Sequence, residues 1–378
     1  MRLPVSREES VALVERLLGA AERRDVSTVS SMYAEDAVAV SPVFGEVRGR
    51  AAIAATWETL FRTLTDVTLV VSDILVDGDR VAVLSTLTTS DAIGWFGRPA
   101  TGGPIGYRLV LLLTVADGAI VRDERIYDSV GVVERLEKAQ LDKELRLAAE
   151  VQQALVSRAG HAGTFCESVG DSVPCRAIGG DFFSFLDLPS GDTAIVMGDV
   201  AGKGPAAALL AALIQGIFAV EAEAGDTPAR TVSRVNRRLA DRTLGSRFAT
   251  LVYATLSREG RLTYTNAGHN APILLTGGGV QRLTVGGTIL GAFADAAFDE
   301  ATINLRPLDT LVLFTDGVTE ARSVSDEEFG EERLLTCLTD VGTDPPIAVL
   351  NRIVASVQAF AHDADQNDDI TITVSRFS

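Results

Sequence analysis

Residues 194–204 read AIVMGDVAGKG, a strand-like run that reaches Asp199 and passes through Gly202 and Gly204 to Pro205. Glycine takes turns closed to other residues and lets backbone approach a neighbouring group. Proline suits a helix's first turn, and the apolar stretch Ala206–Val220, interrupted by Gln215, continues it. That stretch falls short of the ~20 residues of a membrane span, so it reads as a buried core helix. Taken alone, the segment is an ordinary strand-to-helix turn.

Three further segments set an Asp at the end of a strand-like run: AIGGDFF at Asp181, LVLFTDGVTEA at Asp316, and QNDDITITV at Asp368 and Asp369. Each is weak by itself, since an isolated Asp-Gly is usually a turn. Together they change the reading. Strand-end carboxylates converging from distant parts of a chain are what an oxygen-liganded Mg²⁺ or Mn²⁺ requires, because hard cations prefer carboxylate, carbonyl and water. Gly179, Gly180 and Gly317 would let backbone approach the same ions.

The bulk numbers fit two globular domains: 378 residues, 47% apolar and 22% charged. A net charge of −17 argues against a nucleic-acid or anionic-membrane surface, which relies on clustered Lys and Arg. The acidity serves solubility, or gathers carboxylates around cations. Cys166, Cys175 and Cys337 are odd in number and lack CxxC spacing, so neither a disulfide framework nor a zinc site is supported. Met1–Ser10 carries Glu8 and Glu9 without an apolar run, so no secretory signal is read and a cytoplasmic protein is expected.

Toward the N-terminus, Val11, Val14, Leu17 and Leu18 fall at helical spacing behind a capping box at Ser6 and Glu9. Ala37–Val43 follows, then a helical stretch Arg50–Leu64 and strand-like runs at Val67–Val76, Arg80–Thr89, Tyr107–Ala116 and Ala119–Tyr127. Asp77-Gly78 and Asp117-Gly118 mark turns between strands. Helices followed by an antiparallel meander make an α+β unit. In the helical stretch Glu134–Val156, Leu141, Leu145, Ala148, Gln152 and Leu155 alternate spacings of four and three. That is a coiled-coil-like stripe or a single helix packed on its own domain, and a connecting helix in either case. From about Ala159 the pattern becomes strands and two long helices, with loops expected near Ser184–Asp192, Thr276–Gly279 and Arg322–Gly330.

The N-terminal order, with VRGRAAIAATWETLF at residues 47–61 and VRDERIYD at 121–128, resembles the SnoaL-like branch of the nuclear transport factor 2-like superfamily over residues 6–134. This implies a cone-shaped α+β barrel with an apolar pocket. Trp57, Phe61, Trp95, Phe96 and Tyr107 are candidates to line it and to bind a small apolar or amphipathic ligand, or simply to fill the core. Fold alone leaves function open. A cyclase or isomerase using a His/Asp or Tyr/Asp pair is an alternative, and as no His precedes His161, it would rest on Tyr127 and Asp128.

The four carboxylate segments, with RFATLVYATL at 247–256, TNAGHNAPIL at 265–274 and FGEERL at 329–334, resemble the SpoIIE/RsbU-like branch of the metal-dependent protein phosphatases over residues 158–378. The resemblance implies an α-β-β-α sandwich and a protein-serine/threonine phosphatase with two Mg²⁺ or Mn²⁺ ions. Asp199 would bridge them and the Val200 carbonyl would add a ligand. Asp316 and Asp368 would complete one site, and Asp181 would hold the other ion directly or through water. Such a pair orients phosphoryl oxygens and acidifies a water that attacks phosphorus in line, with no covalent phosphoenzyme.

The implied substrate is a phosphorylated STAS-type anti-sigma-factor antagonist. Two departures stand out: Ser184 occupies the place of a further Asp, and Ala201 that of a His in type 2C relatives. Lys203 is then a candidate proton donor, His269 a packed residue or a catalytic one, and Asp369 an orienting group for Asp368. The organisation expected is a ligand-binding domain at residues 1–134, a connecting helix at 135–157 and a phosphatase domain at 158–378, in a homodimer with no nucleic-acid or membrane partner. A pseudophosphatase scaffold is the competing reading.

Overall fold

Ser6 and Glu9 open helix α1 (Arg7–Glu22) as a reciprocal cap: Ser6 Oγ accepts from the Glu9 N–H at 3.2 Å, and Glu9 Oε2 accepts from the Ser6 N–H at 2.9 Å. The computed structural model describes residues 6–64, 66–92, 94, 98–155, 160–163, 165–240, 247–339 and 341–378. These divide into two compact units, Met1–Glu144 and Leu145–Ser378.

In the first unit α1 is followed by α2 (Val26–Ser31), β1 (Tyr33–Ser41), β2 (Gly45–Arg48), α3 (Arg50–Thr63), β3 (Thr68–Asp77), β4 (Arg80–Ser90), β5 (Pro104–Ala116), β6 (Ala119–Ile126) and α4 (Ser129–Leu155), within which the division falls. The sheet runs β2-β1-β6-β5-β4-β3. Asp117 and Gly118 both take positive φ, 51° and 76°, which lets a tight turn join β5 to β6. Strands β3 to β6 form the expected meander, but β1 lies parallel to β6, a pairing no local pattern announces. Alternate residues of β4 and β5, among them Val81, Val83, Leu109 and Leu111, share one core with Leu13, Leu17, Ile53 and Trp57 of the helices. Val156, Trp95 and Phe96 lie outside the described residues.

The second unit continues with β7 (Gly160–Ala162), β8 (Cys166–Val173), β9 (Phe182–Asp187), β10 (Thr193–Val200), α5 (Pro205–Ala222), α6 (Pro228–Ala240), β11 (Ala249–Leu256), β12 (Arg261–Ala267), β13 (Ile273–Thr276), β14 (Gly279–Arg282), β15 (Gly286–Gly287), β16 (Ala301–Asn304), β17 (Thr310–Phe314), α7 (Asp316–Thr319), α8 (Gly330–Cys337), α9 (Pro346–Ala361) and β18 (Ile370–Phe377). One sheet runs β15-β12-β11-β10-β9, with β16 beside β12, and the other β14-β13-β17-β18-β8-β7.

Phe183, Ile195, Met197, Val252, Leu311 and Leu313 fill the space between the sheets. Helices α5 and α6 cover the first sheet, and α8 and α9 the second, giving an α-β-β-α sandwich. Helix α5 is long and apolar enough to cross a membrane by length and composition alone, yet Ala207, Leu210, Ile214 and Phe218 pack into the core. The loop expected from Ser184 is shorter than the sequence suggested. Residues Phe182–Asp187 form β9, with Ser184 paired to Val196, because the aromatic run Phe182, Phe183, Phe185 fits a buried pleat.

Candidate metal centre

Asp199 stands near the C-terminal end of β10 and Asp316 just past β17, whereas Asp181 and Asp368 precede β9 and β18. Two of the four therefore sit at strand starts rather than the strand ends expected. Antiparallel pairing reconciles this: Phe182 pairs with Gly198 and Phe314 with Ile372, so starts and ends meet at one edge of the sandwich. Hydrogen bonds then tie the two sheets together there. Thr315 Oγ1 donates to Asp181 Oδ2 at 2.7 Å and accepts from the Thr371 N–H at 3.0 Å.

Backbone crowding at this edge explains particular glycines. A Cβ on Gly317 would lie 2.0 Å from the Asp369 carbonyl oxygen, and one on Gly180 would lie 2.9 Å from that of Val200. Asp369 is an orienting group: its carboxylate accepts from the Cys175 and Gly180 N–H groups, each at 2.8 Å, and so anchors the Gly179-Gly180-Asp181 turn.

The electrostatics are those of like charges forced together. Burial, and then the charge of Asp199, push the Asp181 carboxyl well above the usual range. Burial, and then Asp316 and Asp368, push Asp199 up to about 6. Asp316 is raised by burial and by Asp368. Among the described residues the one cation paired with this group is Lys203, whose Nζ lies 2.9 Å from Asp368 Oδ2 and also donates to the Asn367 carbonyl. One buried and three half-buried carboxylates in excess over cations are a donor set that fits a divalent ion. Cys175, Asp368 and Asp369 also bring ligand atoms within 4.8 Å of one another. That trio is the poorer candidate, because Asp369 is already spent on backbone and burial holds the Cys175 thiol up at about 11.

Of the other residues singled out, His269 is packed. Its Nδ1 lies 2.8 Å from Thr250 Oγ1, its backbone N–H donates to Asn266 Oδ1 at 2.7 Å, and burial pushes its pKa down to about 4. Ser184 turns toward α5, where Gln215 Nε2 lies 3.3 Å from its hydroxyl. Two contacts had escaped the sequence reading. Thr315 sits inside the LVLFTDGVTEA string, and its role needed the fold. Gln152 of α4, a member of the spaced stripe, donates from Nε2 to the Gly179 carbonyl at 2.9 Å, a partner that the stripe's spacing does not indicate.

In the first unit, Trp57, Phe61 and Tyr107 line a cavity of about 280 Å³ together with Tyr127. Asp128 instead caps α4, accepting from the Gly131 N–H at 2.9 Å.

Comparison with known proteins agrees with this architecture. The family described as Stage II sporulation protein E (SpoIIE) matches residues 189–378, half of the chain, and the SnoaL-like domain family matches residues 14–123. Protein IcfG of Synechocystis sp. is 30% identical over 228 residues, covering 53% of this chain and 36% of that protein. Phosphoserine phosphatase RsbU of Bacillus subtilis is 30% identical over 188 residues, 49% of this chain and 56% of RsbU. The chain thus spans between about a third and just over half of the length of these relatives. The solved SiaA-PP2C domain of Pseudomonas aeruginosa superposes with a TM-score of 0.56 at 21% identity, covering 64% of this chain and 99% of that domain. The chain therefore belongs to the SpoIIE family, matched over residues 189–378 behind a SnoaL-like match at residues 14–123, and its second unit shares the fold of the solved SiaA-PP2C domain.

Proposed function

We propose that this protein is a protein-serine/threonine phosphatase dependent on Mg²⁺ or Mn²⁺, acting in the cytoplasm on a phosphorylated STAS-type anti-sigma-factor antagonist. The observation that carries the reading is the convergence of Asp181, Asp199, Asp316 and Asp368, from four separate segments, into one group with a single paired cation among the described residues. Asp199 would bridge two ions with help from the Val200 carbonyl, Asp316 and Asp368 would complete one site, and Asp181 would serve the other. Such ions, when bound, polarise phosphoryl oxygens and acidify water.

The chain's own residues do the positioning. Thr315 fixes the Asp181 carboxyl, Asp369 pins the turn before it, and Lys203 is held by Asp368 and Asn367 as a cation facing the same edge. Relatives named as phosphoserine phosphatases support the substrate class.

The same reading makes the SnoaL-like unit a ligand-binding regulator and the protein a homodimer. Leu141 is exposed and Leu145 half-buried along α4, so an apolar stripe is available to a second copy. The deciding assay is phosphate release from a serine-phosphorylated STAS-domain protein with Mn²⁺, with Mg²⁺ and with EDTA. Release with either cation and none with EDTA is expected, and no release under any condition would sink the proposal.

A further inference from the structure

The cavity of the first unit has flat walls and one cation in its depth. Tyr107 and Tyr127 stack at 4.9 Å between ring centroids and Trp57 lies 5.4 Å from Phe61, while Leu109 and Leu111 supply the sheet side. Arg125 lines the cavity with its guanidinium 4.4 Å over the Trp57 ring. Its Nε and Nη2 are given to Asp123 Oδ2, at 3.1 and 2.9 Å, which leaves Nη1 outside that pair. Asp123 itself is 1% exposed and does not line the cavity, and the two carboxylates that do line it, Glu22 and Asp66, are exposed whereas Arg125 is buried, so the charge a ligand meets away from the rim is the cation. The second cation, Arg24, is tied to the Phe61 and Leu64 carbonyls.

The same contacts remove the means for acid–base chemistry. Asp123 accepts from Arg125 and, at 2.8 Å, from the buried Tyr33 hydroxyl, so it is committed as a charge partner. Asp128 caps a helix, no His is among the residues lining the cavity, and of the two carboxylates that line it Asp66 accepts from the Thr89 hydroxyl and the Ser90 N–H while Glu22 is exposed to water. Burial holds the Tyr33 and Tyr107 phenols far above neutrality.

We propose that this cavity is a receptor site, with no reaction of its own, for a small planar, mostly apolar molecule bearing an anionic hydrogen-bond acceptor such as a carboxylate, held against Arg125. The inference rests on the reading of this unit as a ligand-binding domain and adds the ligand's chemistry and the absence of turnover. Its volume is near the lower end of ordinary ligand pockets, ~300 Å³, which admits a small ring system rather than a long chain.

The test uses the full chain and two probes, 2-naphthoate and the matched cation 2-naphthylmethylammonium, titrated by calorimetry. Saturable binding of naphthoate is expected, with about a tenfold preference over the cation. Binding should vanish in Leu109→Trp, which fills the cavity from its wall. Arg125→Met would strand a buried carboxylate and could fail to fold, so the second variant is Asp123→Asn/Arg125→Gln, which removes both charges and should weaken naphthoate about tenfold. Chromatography after prolonged incubation should recover the probe unchanged.

The proposal is overturned by any of four results: no saturable naphthoate binding, equal binding of the cation, undiminished binding in either variant, or conversion of the probe. Phosphate release by the same preparation is followed in parallel. A rate indifferent to bound naphthoate counts against the regulatory reading alone, and a parent chain that releases phosphate but binds no naphthoate counts against this inference alone.

Discussion

Asp123 in the first unit and Asp181 in the second are both nearly inaccessible to water, yet they are treated in opposite ways. Asp123 is met at Oδ2 by an arginine and a tyrosine, and Trp57 in turn donates to that tyrosine's hydroxyl. Asp181 has a threonine for a neighbour and Asp199 for an opponent. A buried carboxylate costs several kcal/mol unless its charge is answered, so a fold either supplies the counter-charge or leaves a place for one from outside. The first unit takes the former course, and on the proposed function the second takes the latter. Two acids of equal burial thus point to different chemistry.

The largest effect expected from breaking this contrast lies on the unpaired side. Asp199→Ala and Asp316→Ala should each lower turnover on a phosphoprotein by on the order of 10³-fold or more, since each removes a charge meant to face the ions. Circular dichroism should show the fold intact, because relieving repulsion does not destabilise it. Turnover within a few-fold of the parent in either variant would end the assignment.

On the paired side, Arg125→Met should destabilise the first unit by about 3–5 kcal/mol, while Asp123→Asn/Arg125→Gln should recover most of that loss. Urea melts of full-length protein measure both. A single variant as stable as the parent would mean that Asp123 does not need its partner, and the contrast fails.

Thr315→Val tests the contact that holds Asp181. Losing a hydrogen bond behind a ligand typically costs about 10–100-fold in metal affinity, and Mn²⁺ titration calorimetry should show a loss in that range.

The smallest effect is on the cation-free protein. Asp199 keeps its proton up to about pH 6 when folded, against 3.8 for the ordinary group. The folded state therefore binds more protons between about pH 4 and 6, and stability falls as pH rises through that window. Asp199→Asn should flatten this slope and raise the cation-free melting temperature at pH 7 by roughly 2–4 °C per kcal/mol relieved. An unchanged pH profile would show that Asp199 is not under the pressure described.

What was legible in the sequence was local. The Ser6/Glu9 cap, the Asp117-Gly118 turn and the helix after Pro205 are decided within a few residues, and each is found where the string places it. The carboxylates could be gathered because each belongs to a short string of its own. Non-local choices were not legible: β1 chooses β6 in parallel, and strands run both ways into the metal edge, so Asp181 and Asp368 start strands instead of ending them. Thr315 lies in one marked string and Gln152 in the spaced stripe of the connecting helix, but neither pattern names its partner, because ordinary side chains acquire those partners only once the sheets are assembled.

Strand β18 comes last in chain order yet lies between β17 and β8 in the middle of its sheet. Its register with β8 joins Ile370 to Val173 and Phe377 to Cys166. At synthesis rates of ~5–20 residues per second, β8 would wait roughly 10–40 s on the ribosome for that partner. Until then the sheet has a gap where its central ladder belongs, and Asp368 and Asp369, which lead into β18, are not yet present. On the proposed function a nascent second unit would therefore have no partly active stage: catalytic competence and the closing of the sandwich would arrive with the same few residues.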